Sequence, residues 1–259
     1  MKKIVVDNLV VEITRKCNAG CAHCLRGCAE NVNISRKAMK QLFENIDAIN
    51  IITFTGGEPS LYVQAIREAL NICKERGISV CYIYVVTNGV KYSKGLINVM
   101  NDWANYCMQS LGYDYTSYED RKYYFEEGIF GLSLSIDAFH PKFDTRCYEY
   151  KDLPYYSNAK EVNNYGSGLI LEGRAAENFE RGRFLKDYEL TFSFMDMGDY
   201  EMPEMVYCNC FGEIFPCCDM SYERQRDIAK VSKINILERT LEDILYDSNI
   251  NYIGRSVAV

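Results

Sequence analysis

Short apolar runs alternate with amphipathic stretches along most of this 259-residue chain. Runs rich in Val and Ile predict buried strands over 9–14, 51–55, 79–87, 129–136, 168–171 and 188–194. Apolar stripes at helical spacing predict helices over 35–49, 61–76, 93–110 and 141–164. The stretch 112–128 is crowded with tyrosine and charge, and we interpret it as an insertion.

Strands that alternate with helices predict an α/β fold, with a parallel sheet and right-handed crossovers. Six such units favour a partial (β/α)6 TIM-type barrel over residues 1–200. Residues 201–259 are then a short C-terminal extension, with a cysteine-containing hairpin around Gly212 and a helix over 240–246.

Glycine and polar residues cluster where five of the predicted strands end. The clusters are the cysteine-rich stretch 17–24, Gly56-Gly57-Glu58-Pro59, Thr87-Asn88-Gly89, Ser135-Ile136-Asp137 and Gly173-Arg174-Ala175. Because the carboxyl ends of parallel strands open onto one mouth, ligands gather there in such folds. The sequence therefore predicts one site that is built from several strand ends.

Composition and charge limit the partners and the cellular compartment that we expect for this protein. The net charge of -7 argues against a nucleic-acid partner, because phosphate contacts need an excess of Lys and Arg. No apolar stretch is long enough to span a bilayer, and Asp7 interrupts the apolar N-terminus, which argues against a signal peptide. We therefore expect a cytoplasmic protein without a membrane partner. Its 12 cysteines then point to metal ligation, catalysis or burial, because disulfides are rare in that compartment.

Cys17, Cys21 and Cys24 follow the first predicted strand at a C-x3-C-x2-C spacing. Three thiolates on one short loop can hold three irons of a [4Fe–4S] cluster, which leaves the fourth iron open to a small molecule. Cys28 leaves two alternatives open. As a fourth thiolate it would complete the cluster of an electron-transfer or sensing protein, or a structural zinc site.

The cysteine spacing, followed by Gly56-Gly57-Glu58-Pro59 and Thr87-Asn88-Gly89 at the next strand ends, resembles the radical S-adenosylmethionine superfamily. The resemblance implies that Cys17, Cys21 and Cys24 ligate the [4Fe–4S] cluster. It also implies the residues that bind S-adenosylmethionine, namely Gly56, Gly57, Glu58, Pro59, Asn88, Ser135 and Asp137 near the ribose, Arg174 near the carboxylate, and His23. His23 stands where the family usually has an aromatic residue, and it would pack against the cluster or the adenine.

The resemblance also implies a reaction and its partners. The cluster would cleave S-adenosylmethionine reductively to a 5′-deoxyadenosyl radical, which abstracts a hydrogen atom from a peptide or a small metabolite. An external one-electron reductant of the flavodoxin or ferredoxin type would supply the electron. His140 and Tyr115 are candidates for catalytic side chains, although His140 would equally cap a helix and Tyr115 would equally be half-buried at a surface.

The extension holds a second group of cysteines, and this stretch resembles the start of the accessory domains called SPASM or twitch. The group comprises Cys208, Cys210, Cys217 and Cys218. We expect at most one further metal here, such as a second iron–sulfur cluster. The alternative is a hairpin that caps the barrel with reduced thiols.

Overall fold

The computed structural model describes residues 4–127, 131–135, 139–140, 144–157, 169–250 and 252. The strands are β1 (Ile4–Thr14), β2 (Ile46–Gly56), β3 (Ser79–Thr87), β4 (Gly131–Leu134), β5 (Phe194–Asp196), β6 (Glu201–Pro203), β7 (Met205–Cys208) and β8 (Ile214–Phe215). The α-helices are α1 (Arg36–Leu42), α2 (Val63–Arg76), α3 (Lys94–Ser110), α4 (Tyr118–Glu127), α5 (Gly173–Asn178), α6 (Tyr222–Val231) and α7 (Leu241–Leu245).

The main sheet has the strand order β4-β3-β2-β1-β7-β8. All of its neighbouring strands are parallel except β7 and β8, which form an antiparallel pair. This arrangement confirms the predicted α/β class with a parallel sheet. The described strands form an open sheet and do not close into a barrel.

One face of this sheet is covered by helices. The register places Val11, Phe54 and Val85 side by side, and all three are buried. The Trp103 ring on α3 lies 5.8 Å from the Phe54 ring, and its Nε1 donates a hydrogen bond to the Ile66 carbonyl of α2. Burial of these large side chains is the main source of stability for the layer.

The spacing of apolar residues predicts the end of one helix correctly and the end of another wrongly. Helix α2 ends at Arg76 with Gly77 in the left-handed conformation, as expected. The helix predicted over 35–49 was wrong in its second half, because α1 ends at Leu42 and β2 begins at Ile46. Ile46 and Ile49 pair with β1, so apolar residues that fit a helical stripe belong to a strand.

The later part of the predicted barrel also differs from expectation. Residues 169–171 form one isolated bridge, between Ile170 and Arg183, and residue 168 lies outside the described residues. The stretch 188–194 is not a strand, because a 3-10 turn spans Asp187–Leu190 and β5 begins only at Phe194. The described part of the helix predicted over 141–164 holds only a 3-10 helix, Thr145–Asp152, and the predicted insertion contains α4.

The hairpin predicted around Gly212 is confirmed by the antiparallel pair β7 and β8. The first strand of this hairpin, β7, is part of the main sheet, where it pairs parallel to β1 from Met205 to Cys208. Residues 201–259 thus share one sheet with residues 1–200 at the strand that leads into the cysteine loop. The predicted last helix is also present, as α7 with Thr240 as its N-cap.

Candidate active site at the strand carboxyl ends

The turn after β2 lies directly against the start of the cysteine loop. The backbone N–H of Gly57 donates to the Thr14 carbonyl at 2.8 Å, and that of Glu58 donates to the Lys16 carbonyl at 2.8 Å. A Cβ on Gly56 would lie 2.0 Å from the Thr14 oxygen, and one on Gly57 would lie 2.4 Å from the Lys16 oxygen. The two glycines are therefore required by the contact between the β1 and β2 ends, a reason that the sequence did not reveal.

The buried carboxylate of Glu58 fastens β2 to β3. Its Oε1 accepts hydrogen bonds from the Thr87 hydroxyl at 2.7 Å and the Ser60 N–H at 3.0 Å, and its Oε2 accepts one from the Asn88 N–H at 2.8 Å. Pro59 is buried and begins the 3-10 turn Pro59–Tyr62. Glu58 thus accepts two hydrogen bonds from the end of β3 and one from its own turn, which links the two strand ends.

The cysteine loop carries three half-buried thiols. Cys17, Cys21 and Cys24 are partly accessible, and Cys28 is exposed. The backbone N–H of Cys24 donates to the Cys21 carbonyl at 3.3 Å, so these two residues share one turn. Burial raises the pKa of the Cys17 thiol, while a hydrogen bond from the Ala19 N–H lowers it in part.

The thiols of this loop are the donor type that an iron–sulfur cluster takes. Among the residues that the structure describes, no three His, Cys, Asp or Glu side chains are placed to hold one metal ion. In a [4Fe–4S] cube each thiolate binds its own iron.

A buried ion pair between Arg15 and Glu12 lies at the start of the cysteine loop. The Arg15 Nε donates to Glu12 Oε1 at 2.7 Å, its Nη1 to Glu30 Oε2 at 3.1 Å, and its Nη2 to Gln225 Oε1 at 2.5 Å. The side chains of Arg15 and Glu12 are both 0% exposed. Because Gln225 lies on α6, this group joins the strand before Cys17 to the C-terminal segment.

We predict that Arg15→Ala lowers the free energy of unfolding by ~3–5 kcal/mol, because it leaves the Glu12 carboxylate buried without its cation. The matched control is Arg67→Ala. Arg67 pairs with Asp102 at 2.7 Å, but the two side chains are 45% and 47% exposed, so its loss should cost at most ~1 kcal/mol. Urea unfolding of the apo proteins measures both values, and equal values would contradict the assignment.

Residues after β4 contact the cysteine loop through aromatic rings. His23 lies 5.0 Å from the ring centroids of both Phe139 and His140. Ser135 donates its backbone N–H to the Thr87 carbonyl at 2.9 Å. The structure thus brings His23, His140 and Ser135 to the strand ends, while Asp137 lies outside the described residues.

The start of α5 also contacts the cysteine loop. Gly173 has φ +51°, and a Cβ there would lie 2.5 Å from the Gly27 nitrogen. The Arg174 N–H donates to the Cys24 carbonyl at 3.0 Å, and the Arg174 Nη1 lies 3.5 Å from the position of a Cβ on Gly20. The Arg174 guanidinium therefore lies beside Gly20, a residue of the cysteine loop between Cys17 and Cys21.

Tyr115 lies elsewhere, on the helix layer. Its hydroxyl donates to Asn101 Oδ1 on α3 at 3.4 Å, and Arg121 lies 5.8 Å from its ring. Burial raises the pKa of this phenol. These contacts do not bring Tyr115 to the cysteine loop.

The four cysteines of the C-terminal hairpin are packed in the fold as thiols. Cys210 donates its S–H to the Glu12 carbonyl at 3.3 Å, and Cys208 donates to the Asn209 carbonyl at 3.6 Å. Burial raises the pKa of Cys217 to about 11 and that of Cys218 to about 12. A second cluster here stays a prediction.

Comparison with known proteins identifies the class that this fold and site define. The sequence profile of the Radical SAM superfamily matches residues 11–168, which is more than half of the chain. The chain belongs to the radical SAM superfamily, whose members use a [4Fe–4S] cluster and S-adenosylmethionine.

An uncharacterized protein of Methanocaldococcus jannaschii is 23% identical over 171 residues, which cover 62% of this chain and 55% of that protein. The structure of Streptococcus suis SuiB bound to the precursor peptide SuiA is similar with 18% identity and a TM-score of 0.46, over 96% of this chain and 66% of SuiB. A structure of anSMEcpe with bound AdoMet and the Kp18Cys peptide is similar with 15% identity and a TM-score of 0.47, over 96% of this chain and 82% of that protein. The chain thus spans just over half the length of the curated relative. In the described ranges, no helix has the length and apolar character needed to cross a membrane.

Proposed function

We propose that this protein is a radical enzyme in which Cys17, Cys21 and Cys24 hold a [4Fe–4S] cluster with one open iron. The observation that carries the proposal is a loop with three half-buried thiols, whose start bonds the turn after β2 through its backbone and whose Cys17 sulfur accepts a hydrogen bond from Asn88 after β3. When bound, the cluster supplies the electron that cleaves S-adenosylmethionine to methionine and a 5′-deoxyadenosyl radical, which takes a hydrogen atom from the substrate.

Arg174 is our candidate for the carboxylate of S-adenosylmethionine. In the part of the chain that the structure describes, no carboxylate pairs with its guanidinium, which lies beside Gly20 of the loop. The Glu58 carboxylate, in contrast, already has partners within the fold, because both of its oxygens accept hydrogen bonds from Thr87 and Asn88. We therefore assign cofactor contact at the second motif to the backbone of Gly56–Glu58, and a supporting role to the Glu58 side chain.

We propose an uncharged reacting group on the substrate, within a peptide or a small metabolite. The face of the sheet opposite the helices is only half-buried at Thr53, Thr55 and Tyr84, whereas Phe54 and Val85 on the helix face are fully buried. The accessible face thus offers hydroxyl groups, of which Tyr84 donates to Ser133 at 3.2 Å. Hydroxyl and aromatic groups orient a neutral substrate. His140, beside His23, is the candidate for a further substrate contact.

The electron would come from a reductant of the flavodoxin or ferredoxin type. The second candidate function, an electron-transfer or sensing protein, needs Cys28 as the fourth ligand. Cys28 is exposed while Cys17, Cys21 and Cys24 are half-buried, which favours the enzyme. No disulfide joins any of the 12 cysteines, all of which lie in the described ranges.

Formation of 5′-deoxyadenosine tests this proposal. Protein reconstituted anaerobically with iron and sulfide should produce 5′-deoxyadenosine from S-adenosylmethionine when dithionite is present, and none without the reductant. Liquid chromatography with mass spectrometry measures the product. Protein that holds a full cluster and is reduced, yet forms no 5′-deoxyadenosine, would overturn the proposal.

A further inference from the structure

The side-chain amide of Asn88 has a fixed orientation at the mouth of β3. Its Oδ1 accepts a hydrogen bond from the Val90 N–H at 3.0 Å, so its NH2 group must point the other way. That group donates to the Asn18 Oδ1 at 3.0 Å and to the Cys17 Sγ at 3.6 Å. The N–H donor of Val90 therefore fixes the amide so that Cys17 faces its NH2 group and not its oxygen.

The backbone of Asn88 is held as firmly as its side chain. Its N–H donates to Glu58 Oε2 at 2.8 Å, and Glu58 Oε1 accepts from the neighbouring Thr87 hydroxyl. Glu58 is 1% exposed and Asn88 is 8% exposed, so little water competes for these bonds. A chain of contacts thus runs from the second motif through the third motif to a sulfur of the first.

We propose that Asn88 is a positioning residue which donates a hydrogen bond to the Cys17 thiolate and raises the reduction potential of the cluster. The proposal rests on the proposed function, in which Cys17 is a cluster ligand. Reduction adds negative charge that spreads onto the ligand sulfurs, so a donor at the sulfur stabilises the reduced form more than the oxidised form. Together with the Ala19 N–H at 3.4 Å, the described residues give the Cys17 sulfur two N–H donors.

The test compares reduction potentials of loaded proteins by EPR-monitored titration. Asn88→Ala removes the donor. Asn88→Asp keeps the size of the side chain and the acceptor for Val90, but it places an oxygen opposite the sulfur. We expect the potential to fall in both variants, further in Asn88→Asp, with the one-electron equilibrium shifted roughly 3- to 10-fold, or ~30–60 mV at 59 mV per tenfold.

Asn178→Ala is the matched control. The exposed Asn178 side chain donates to the Ala22 carbonyl of the cysteine loop at 3.3 Å and to the Arg174 carbonyl at 2.7 Å, and among the described residues it contacts no sulfur. The reduction potential of the cluster in this variant should equal that of the wild type. Glu58→Gln should lower the potential by less than Asn88→Ala does, because it acts only through the position of Asn88.

The outcomes separate this inference from the function on which it rests. Equal potentials in wild type, Asn88→Ala and Asn88→Asp would overturn the role of Asn88 while the cluster itself stands. A wild-type protein that takes up no cluster would overturn both. If a variant loads too poorly for titration, the rate of iron loss to a chelator decides, with faster loss than in Asn178→Ala expected and an equal rate contradicting the inference.

Discussion

Replacing any of Cys17, Cys21 or Cys24 by serine is expected to lower 5′-deoxyadenosine formation by more than ~100-fold, which exceeds the usual loss from removing a residue behind a metal ligand. Each substitution leaves one iron without its thiolate, and a hydroxyl is a poor substitute for that soft ligand. The same three variants should lose most of their bound iron and sulfide.

Cys28→Ser is the matched control on the same loop. Cys28 is exposed, so its loss disturbs no packing, and the proposed cluster does not use its thiol. Cluster content and product formation should therefore stay near the wild-type level. Loss of the cluster in Cys28→Ser, with retention in Cys24→Ser, would favour a different ligand set and contradict the assignment.

Gly56→Ala is expected to lower the free energy of unfolding by ~3 kcal/mol or more and to prevent cluster loading. The added Cβ would lie 2.0 Å from the Thr14 oxygen, and the φ of +150° is strained for a residue with a side chain. Because the obstruction is backbone, no side-chain rotation relieves it. The β2 turn must then separate from the start of the cysteine loop.

Gly95→Ala on α3 is the control for this substitution. Its Cβ would meet only ordinary contacts, at 3.8 Å from the Ser93 hydroxyl and 4.0 Å from Val63. Alanine favours the helix, so the change should be neutral or stabilising by up to ~1 kcal/mol. Chemical denaturation of both apo variants measures the difference. Equal stability of Gly56→Ala and Gly95→Ala would contradict the proposed contact.

The first half of the fold was predictable because its signals are local. The later parts of β1 and β2 and the whole of β3 follow from Val- and Ile-rich runs, and α2 and α3 follow from apolar stripes with a glycine or serine at their ends. The ambiguity at Ile46 and Ile49 arose because three-residue spacing suits a helix, whereas pairing with β1 made these residues part of a strand. Tertiary pairing decided the outcome, as it does wherever local patterns permit both.

The support of the candidate site was not predictable from local patterns. The Arg15 bond to Gln225 joins residues 210 apart in the chain, and the pairing of β1 with β7 has a similar separation. The motif glycines signalled a site, but the sequence did not show that Thr14 and Lys16 crowd them. Nor did it show that Glu58 turns toward Asn88, since a buried carboxylate reveals its partners only in the folded chain.

The EPR spectrum of the reduced, reconstituted protein, recorded with and without S-adenosylmethionine, tests the central claim most directly. A cluster held by Cys17, Cys21 and Cys24 leaves one iron open, so binding of S-adenosylmethionine should change the g-values, in wild type and in Cys28→Ser alike. A spectrum that S-adenosylmethionine leaves unchanged in wild type, together with loss of the cluster in Cys28→Ser, would show a fully cysteine-ligated cluster and contradict the account.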